Sequence, residues 1–222
     1  MISVIIPTFN ESSIIEPLLH SLSAARAEEV IVSDGGSTDD TVAKARRYAT
    51  IVSGARGRAE QMNRAARLAS GEVLLFLHAD VRLEPLALQA VASAMRDPSI
   101  AGGNFEIAFD GDDTAASIFG WINRQRYRFG IFYGDSGIFV RRTVFEEFGG
   151  YREWPILEDY ELARRLWRRG RVAFLPNKIH VSNRRWRKAG MWTTLWYWFW
   201  IQGLYIAGVP PRRLAAMYRD VR

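Results

Sequence analysis

The chain has 222 residues, enough for one large domain or for a domain with an appendage, since domains usually hold about 100–200 residues. Its composition, 48% hydrophobic and 24% charged, excludes a wholly disordered or collagen-like chain, and the absence of cysteine excludes a disulfide framework, a thiolate zinc site and a cysteine nucleophile. The net charge of +6 is uneven, because residues 1–110 hold 10 basic and 14 acidic side chains whereas residues 111–222 hold 20 and 10. The basic second half also holds all eight tryptophans, which is compatible with nucleic acid, anionic lipid or a phosphorylated small molecule as its partner.

The first half alternates short apolar runs with stretches of helical periodicity. The pattern predicts strands at 3–7, 29–33, 50–52 and 72–77, and helices at 12–25, 40–48 and 58–69. The first apolar run follows no basic segment, so it predicts a strand and not a signal peptide. The alternation predicts a doubly wound α/β fold with a mostly parallel sheet, in which ligands bind beyond the carboxyl ends of the strands.

The second half is less regular. A segment rich in Asp and Gly at 110–113 separates it from the first half, and an aromatic, basic stretch follows at 119–133. Residues 138–142 predict the edge of a strand or helix. Residues 158–169 predict a helix, with acids in its first turn, arginines in its last and Gly170 at its end.

Acidic side chains follow three of the predicted parallel strands. Glu11 comes after the first strand, Asp34 after the second and Asp80 after the fourth. A single acid in such a place is often a helix cap or a turn residue. Three at one edge of a sheet favour a site for the ribose or base of a nucleotide, or for a divalent metal ion held by oxygen ligands.

Two common phosphate-binding motifs are absent from the sequence. It contains no G-x-G-x-x-G after the first strand and no G-x-x-x-x-G-K-[ST], so dinucleotide redox chemistry and P-loop phosphoryl transfer are not expected. Acidic residues follow the predicted strands at the positions where those motifs have glycines. We therefore expect Mg²⁺ or Mn²⁺ as a cofactor, bridging a diphosphate to Asp80.

Four segments, in this order along the chain, resemble the motifs of a known family. They are 3–11 (SVIIPTFNE), 32–41 (VSDGGSTDDT), 71–80 (GEVLLFLHAD) and 134–150, the last followed by the acid pair at 158–159. Together they resemble glycosyltransferase family 2, which has the GT-A fold, over about residues 1–187. The sequence GVPPRRL at 208–214 resembles the short bacterial "transferase 2" subgroup that is associated with radical-SAM and selenodomain proteins.

The resemblance implies an inverting glycosyltransferase of the hexosyltransferase type. Such an enzyme moves a sugar from a nucleotide-diphospho-sugar to an acceptor, which the sequence does not identify. At the matching positions, the resemblance places Pro7, Thr8, Glu11 and Gly36 in the nucleotide-sugar site and Asp34 at the base.

The resemblance also implies residues for the metal and the diphosphate. Asp80 matches the last acid of the D-x-D motif and is expected to bind the metal, whereas His78 stands at the position of the first acid. A neutral imidazole can still bond a ribose or a phosphate, but one charge of the metal site is lost. Arg58 is expected to bring positive charge to the diphosphate, or else to be a solvated residue at a helix start. His180 is a candidate metal ligand, with a structural histidine as the alternative.

Two adjacent acids, Glu158 and Asp159, are the candidates for catalysis. A helix N-terminus favours negative charge, and a general base must be ionised before it can take a proton. The resemblance selects Asp159 as the base and Glu158 as its neighbour in the acceptor pocket. On the side of the acceptor or leaving group it places Asp135, Arg185 and Trp186, where the alternative for the last two is a surface basic patch with a core tryptophan.

Two other functions stay open at this point. A nucleotidyltransferase also binds nucleotides on an α/β fold, but it usually has a glycine-rich, basic loop, and none follows Ile6. A degenerate GT-A module could bind a nucleotide or a lipid without turnover, and the replacement of an acid by His78 is the feature that favours it.

The segment 191–209 contains no charged residue and is flanked by basic pairs at 187–188 and 212–213. Its tryptophans and tyrosines favour the interface of a membrane over the bilayer centre, so an in-plane helix is expected before a spanning one. Packing on the rest of the chain or in a homodimer is the alternative. With membrane contact, we expect a lipid-linked acceptor.

The expected organisation is a GT-A domain at 1–187 and a C-terminal aromatic helical extension at 188–222. Within the domain, 1–110 is expected to form the nucleotide-sugar half and 111–187 the acceptor half. We expect a nucleotide-diphospho-sugar as the partner and no nucleic acid. The absence of cysteine fits a reducing compartment, so a cytoplasmic location is expected, at the inner face of the cell membrane if 191–209 meets lipid.

Overall fold

The computed structural model describes residues 1–109, 114–181 and 191–217. The strands within these residues are β1 (Ile2–Thr8), β2 (Glu29–Asp34), β3 (Thr50–Ser53), β4 (Val73–Phe76), β5 (Val81–Leu83), β6 (Ile100–Phe109), β7 (Ile138–Arg141) and β8 (Arg171–Val181). The helices are α1 (Ile15–Ala24), α2 (Thr41–Ala45), α3 (Arg58–Leu68), α4 (Ala87–Ala94), α5 (Thr114–Tyr127), α6 (Arg142–Glu147), α7 (Glu158–Arg169), α8 (Met191–Ile206) and α9 (Pro211–Met217). A short 3-10 turn covers Gly134–Ser136.

The strands form one mostly parallel sheet in the order β3-β2-β1-β4-β7-β6-β8-β5. β1 pairs in parallel with β2 on one side and β4 on the other, and β7 is antiparallel to both of its neighbours. The carboxyl ends of β1, β2 and β4 therefore lie at one edge, where Thr8 stands opposite Asp34. This arrangement confirms the predicted α/β fold and brings the predicted acid-bearing loops together.

Alternating side chains of the central strands fill two separate cores. On one face of the sheet, Val4 and Ile6 pack in a cluster with Leu18 of α1 and Val91 of α4. On the other face, Ile5 belongs to a cluster that contains residues of α3, α6 and α7. The strands read as continuous apolar runs because both faces of the sheet are covered by helices.

The long strands β6 and β8 were not predicted, because their sequences interrupt the expected pattern. β8 contains Pro176, and β6 contains Gly102 and Gly103. A side chain at Gly102 would collide with the Phe139 carbonyl, and one at Gly103 would collide with the Ala173 carbonyl. Glycine in β6 thus reflects the close approach of neighbouring backbones.

Other local predictions agree with the structure. The helix predicted at 158–169 is α7, which is followed by Gly170. The edge predicted at 138–142 is β7, which runs directly into α6. The sheet takes strands from both predicted halves of the 1–187 domain. The division of the chain into domains stays a prediction.

Candidate functional site

A cavity of about 1200 Å³ lies at the carboxyl ends of β1 and β4. Five of the predicted site residues at these strand ends line it: Pro7, Thr8, Glu11, His78 and Asp80. Arg58, Asp135 and Asp159 also line it, so eight of the residues predicted from sequence share one site. The ends of adjacent parallel strands are where such folds bind ligands.

Asp34 is buried at this edge, but its carboxylate forms hydrogen bonds within the loop that follows β2. Asp34 Oδ2 accepts hydrogen bonds from the backbone N–H groups of Gly36 and Ser37, both at 2.9 Å. Gly36 has a φ of 87°, in the left-handed region that glycine adopts without strain. Neither Asp34 nor Gly36 is among the residues that line the cavity. Their predicted contact with the nucleotide stays a prediction, and their observed role is to shape the loop beside it.

Gln61 fixes the ends of β1 and β2 to α3. This role was not predicted from the sequence. Its side chain is 3% exposed. Gln61 Nε2 donates to the carbonyl oxygens of Thr8 and Ser33, both at 2.7 Å, and Oε1 accepts from the Gly57 N–H at 3.2 Å. One buried amide therefore holds three backbone segments at the mouth of the cavity.

Two adjacent acids at the start of α7 have different surroundings. Glu158 is 1% exposed, does not line the cavity, and accepts a hydrogen bond from Arg58 Nη1 at 3.0 Å. Burial raises the pKa of Glu158 above its usual range, while the Arg58 guanidinium opposes this rise and Asp159 adds to it. The guanidinium of Arg58 is therefore held by a buried carboxylate 100 residues away in the sequence. The alternative expected for Arg58, a solvated residue at a helix start, does not describe this contact.

Asp159 lines the cavity and is oriented by backbone groups. Its Oδ2 accepts from the Gly134 N–H at 2.7 Å, and its Oδ1 accepts from the Tyr160 N–H at 2.7 Å. A methyl group at Gly134 would lie 2.6 Å from His78 Nε2 and 3.2 Å from Asp159 Oδ2, so both side chains surround the same point. The residue just before Glu158, Leu157, has a φ of 63°, which is strained for leucine and typical of functional sites.

The two predicted metal ligands differ in position. Asp80 lines the cavity, whereas His180 lies on β8 in register with Arg82 of β5 and is not among the lining residues. Within the described residues, no group of three His, Asp or Glu side chains is arranged to hold a metal ion. The Asp80 carboxylate is an oxygen donor of the kind that a hard cation such as Mg²⁺ prefers.

The C-terminal helices contribute part of the cavity wall, and α8 packs on the rest of the chain, which is one of the alternatives expected for 191–209. Trp198, Ile201 and Gln202 of α8 line the cavity, as does Arg212 of α9. Tyr133 Oη donates to Gln202 Oε1 at 3.0 Å. The spacing of the three α8 residues places them on one helical face. Arg185 and Trp186, predicted on the acceptor side, lie outside the described residues.

The remaining surface of α8 is strongly aromatic. Trp196, Tyr197 and Trp200 are exposed, the first by 67%. In the part of the chain that the structure describes, no helix is both long enough and apolar enough to cross a membrane.

Several known proteins are similar to this chain over most of its length. It is 28% identical over 201 residues to the PGL/p-HBAD biosynthesis glycosyltransferase of Mycobacterium bovis (strain BCG / Pasteur 1173P2), covering 82% of this chain and 74% of that protein. S. aureus TarS 1-349 in complex with UDP-GlcNAc matches with a TM-score of 0.66 and 22% identity, covering 82% of this chain and 58% of that one. Mannosyltransferase PcManGT from Pyrobaculum calidifontis, in complex with GDP-Man and Mn²⁺, matches with a TM-score of 0.65 and 23% identity, covering 81% and 56%.

The likeness to the solved structures shows the fold, and this chain spans less than two thirds of their length. Family membership rests on a second comparison, in which the model of the family described as "Glycosyl transferase family 2" matches residues 3–149. That match runs from β1 to α6 and includes the loops at the carboxyl ends of β1 and β4, which form part of the cavity. The chain is therefore a glycosyltransferase and belongs to glycosyl transferase family 2.

Proposed function

We propose that this glycosyltransferase transfers a sugar from a nucleotide-diphospho-sugar to an acceptor hydroxyl with inversion at the anomeric carbon. One observation carries this proposal: Asp159, held by the Gly134 N–H at 2.7 Å, presents a carboxylate to the cavity that Pro7, Thr8 and Asp80 also line. Structural neighbours in complex with UDP-GlcNAc and GDP-Man support a nucleotide-sugar donor.

The donor would bind at the ends of β1 and β4. We place the nucleotide against Pro7, Thr8 and Glu11, beside the loop that Asp34 and Gly36 shape. Arg58 and His78 line the same cavity and would bond the diphosphate. A guanidinium suits phosphate oxygens because its planar N–H groups match their geometry.

Asp80 is the residue that would hold a divalent ion, with the diphosphate and water completing its ligands. A bound Mg²⁺ or Mn²⁺ would supply positive charge that stabilises the departing diphosphate. A neighbour in complex with Mn²⁺ supports this assignment. His180 remains a second candidate ligand, although it does not line the cavity.

The chemical step needs one base and one leaving group. The acceptor oxygen would form a bond to the anomeric carbon as the bond from that carbon to the diphosphate oxygen breaks. Asp159 would take the proton of the acceptor hydroxyl, and the nucleoside diphosphate would leave with the bonding electrons. Glu158 would act through Arg58, and Asp135 would lie on the acceptor side with Arg185 and Trp186.

We also propose that residues 191–209 contact the inner face of the cell membrane, with a homodimer as the alternative. The exposed aromatic face of α8 and the exposed Arg213 support membrane contact, because Trp and Tyr favour the headgroup region and arginine binds anionic lipid. Assignment to the radical-SAM/selenodomain-associated subgroup rests on 208–214 and stays a prediction.

A donor panel tests the proposed activity. Purified full-length protein would be incubated with Mn²⁺ and common UDP-sugars and GDP-sugars, and the release of UDP or GDP would be measured. We expect release with one donor or a small set of donors. No release above the blank with any of them, together with nucleotide binding, would contradict turnover and leave only a nucleotide-binding module.

A further inference from the structure

The cavity is larger than the proposed donor site requires. Its volume of about 1200 Å³ exceeds the range of roughly 300–1,000 Å³ that is usual for small-molecule sites. The strand-end residues that we assign to the donor form only part of its lining. A different part of the wall is formed by α5, α8 and α9, and it contains none of the residues that we assign to the donor.

This second wall is mainly apolar. On α8, the residues Trp198, Phe199, Ile201 and Ile206 line the cavity. The wall therefore suits an apolar chain or ring, which would be removed from water against these side chains.

Two arginine side chains lie within this mainly apolar wall. Arg126 of α5 lies over three aromatic rings, with its guanidinium carbon 5.8 Å from the Tyr133 ring, 6.0 Å from Trp198 and 5.8 Å from Phe199. Arg212 of α9 also lines the cavity. Within residues 1–109, 114–181 and 191–217, neither guanidinium forms an ion pair with a carboxylate. Such guanidinium groups suit a phosphate or a carboxylate.

A buried amide adds a polar contact to the same wall. Gln202 lines the cavity and uses its Oε1 to accept from Tyr133. Its Nε2 is buried and has no hydrogen-bond partner among the described residues. A buried donor without an acceptor is unfavourable, and a ligand oxygen would supply the missing acceptor.

We propose that the wall formed by α5, α8 and α9 binds an amphiphilic anion. Its apolar part packs on α8, its anionic group lies at Arg126 and Arg212, and one of its oxygens accepts from Gln202. This inference rests on the proposed function, because the amphiphile is taken to be the acceptor substrate, whose hydroxyl reaches Asp159. The anionic group has the same chemistry in a lipid headgroup and in free phosphate, so the test must separate the two.

Calorimetric titration with dodecyl phosphate, below its micellar concentration and without donor, tests the binding. We expect saturable binding to the full-length protein, at least about tenfold tighter than that of inorganic phosphate or of dodecyltrimethylammonium. Arg126→Gln and Arg212→Gln should each weaken it about tenfold, the equivalent of about 1.4 kcal/mol for one lost charge-assisted contact. Arg124→Gln is the matched control on α5, outside the cavity lining, and should change it less than twofold.

Three results would overturn the proposal. Equal weakening by the cavity and control variants would show adsorption by charge alone. Equal binding of the cationic amphiphile or of inorganic phosphate would remove the requirement for an amphiphilic anion. Displacement of dodecyl phosphate by UDP would assign the two arginines to the donor. Nucleotide release from donors is measured separately, so a failed titration with intact release contradicts this proposal and not the proposed function.

Discussion

Glu158 and Asp159 are neighbours in sequence but face different environments. The Glu158 carboxylate is enclosed and paired with Arg58, whereas the Asp159 carboxylate reaches the cavity and accepts from two backbone N–H groups. Paired carboxylates whose surroundings differ often divide their tasks in this way. We assign proton transfer to Asp159 and the positioning of Arg58 to Glu158.

Replacement of Asp159 tests the first of these roles. We expect Asp159→Asn to lower kcat about 10²–10⁴-fold, the usual contribution of a general base, and to leave nucleotide affinity unchanged because the base acts on the acceptor. Turnover by nucleotide release and affinity by UDP titration would be measured together. The exposed Glu146→Gln serves as a control. A parallel loss of UDP binding in Asp159→Asn would show a structural role.

Replacement of Glu158 tests its burial through the pH dependence of stability. Because the pKa of Glu158 is raised in the folded chain, the folded state holds this proton more tightly than the unfolded state does. Its contribution to stability is therefore present below the ordinary carboxyl pKa of about 4.3 and is lost as pH rises through the raised value. We expect the free energy of unfolding of Glu158→Gln, relative to wild type, to increase over that interval in urea titrations. A pH-independent difference, like that expected for Glu146→Gln, would contradict this.

The residue scale also shows what a sequence pattern can predict. Asp80 was predicted because it follows a recognisable strand, and the family resemblance selected Thr8 and, at the start of a helix, Asp159. The pair Arg58–Glu158 and the contacts of Gln61 join segments distant in the chain. No local period indicates such pairs, and only the packing of α3 against the sheet and α7 creates them.

Gln61 matters at the scale of elements, because it joins α3 to the ends of β1 and β2. Gln61→Met keeps a similar volume but leaves the buried carbonyl groups of Thr8 and Ser33 without this donor. The Thr8 carbonyl keeps its hydrogen bond from the Gly35 N–H at 2.9 Å, so we expect a total loss of about 1–3 kcal/mol in urea unfolding, and weaker UDP binding as the loops loosen. Gln89→Met, at an exposed position of α4, should change neither quantity. Equal effects of the two substitutions would refute the role assigned to Gln61.

The strands and helices that could be predicted are those whose apolar residues follow an uninterrupted pattern. β1, β2, β4 and α7 have apolar runs or helical spacing that can be read directly. β6 and β8 were missed because glycines and a proline interrupt their apolar pattern. These residues occur where strands pack closely and the register is irregular, and both features depend on the neighbouring strands. The inner face of α8 was missed because its few polar residues are spread around an otherwise apolar and aromatic helix, so no polar side marks its orientation.

For the whole molecule, the charge asymmetry and the aromatic face of α8 lead to a prediction of membrane binding. We expect the full-length protein to float with anionic liposomes at low salt and to bind less at high salt, because charge attraction is screened. Trp196→Ser and Trp200→Ser together should reduce flotation, whereas Trp167→Ser, an exposed tryptophan on α7, should not. A dimer in solution that ignores liposomes would contradict membrane contact and favour the homodimer.

At this scale the family could be predicted from sequence, because its motifs occupy the ends of adjacent strands. The acceptor could not, because the wall that would receive it combines α5 with the C-terminal helices α8 and α9, which are distant from α5 in sequence. The long C-terminal helix becomes interpretable only when its contacts with Tyr133 and Arg126 are seen.

The anomeric configuration of the product is the measurement that tests the proposed mechanism most directly. With an α-linked donor such as UDP-GlcNAc, or the α-linked donor that the panel selects, proton NMR would follow the sugar as it is transferred to an acceptor or to water, before mutarotation. A single in-line displacement assisted by Asp159 predicts that the first product is the β-anomer. A first product in the α-configuration would contradict inversion and the role of Asp159 as its base.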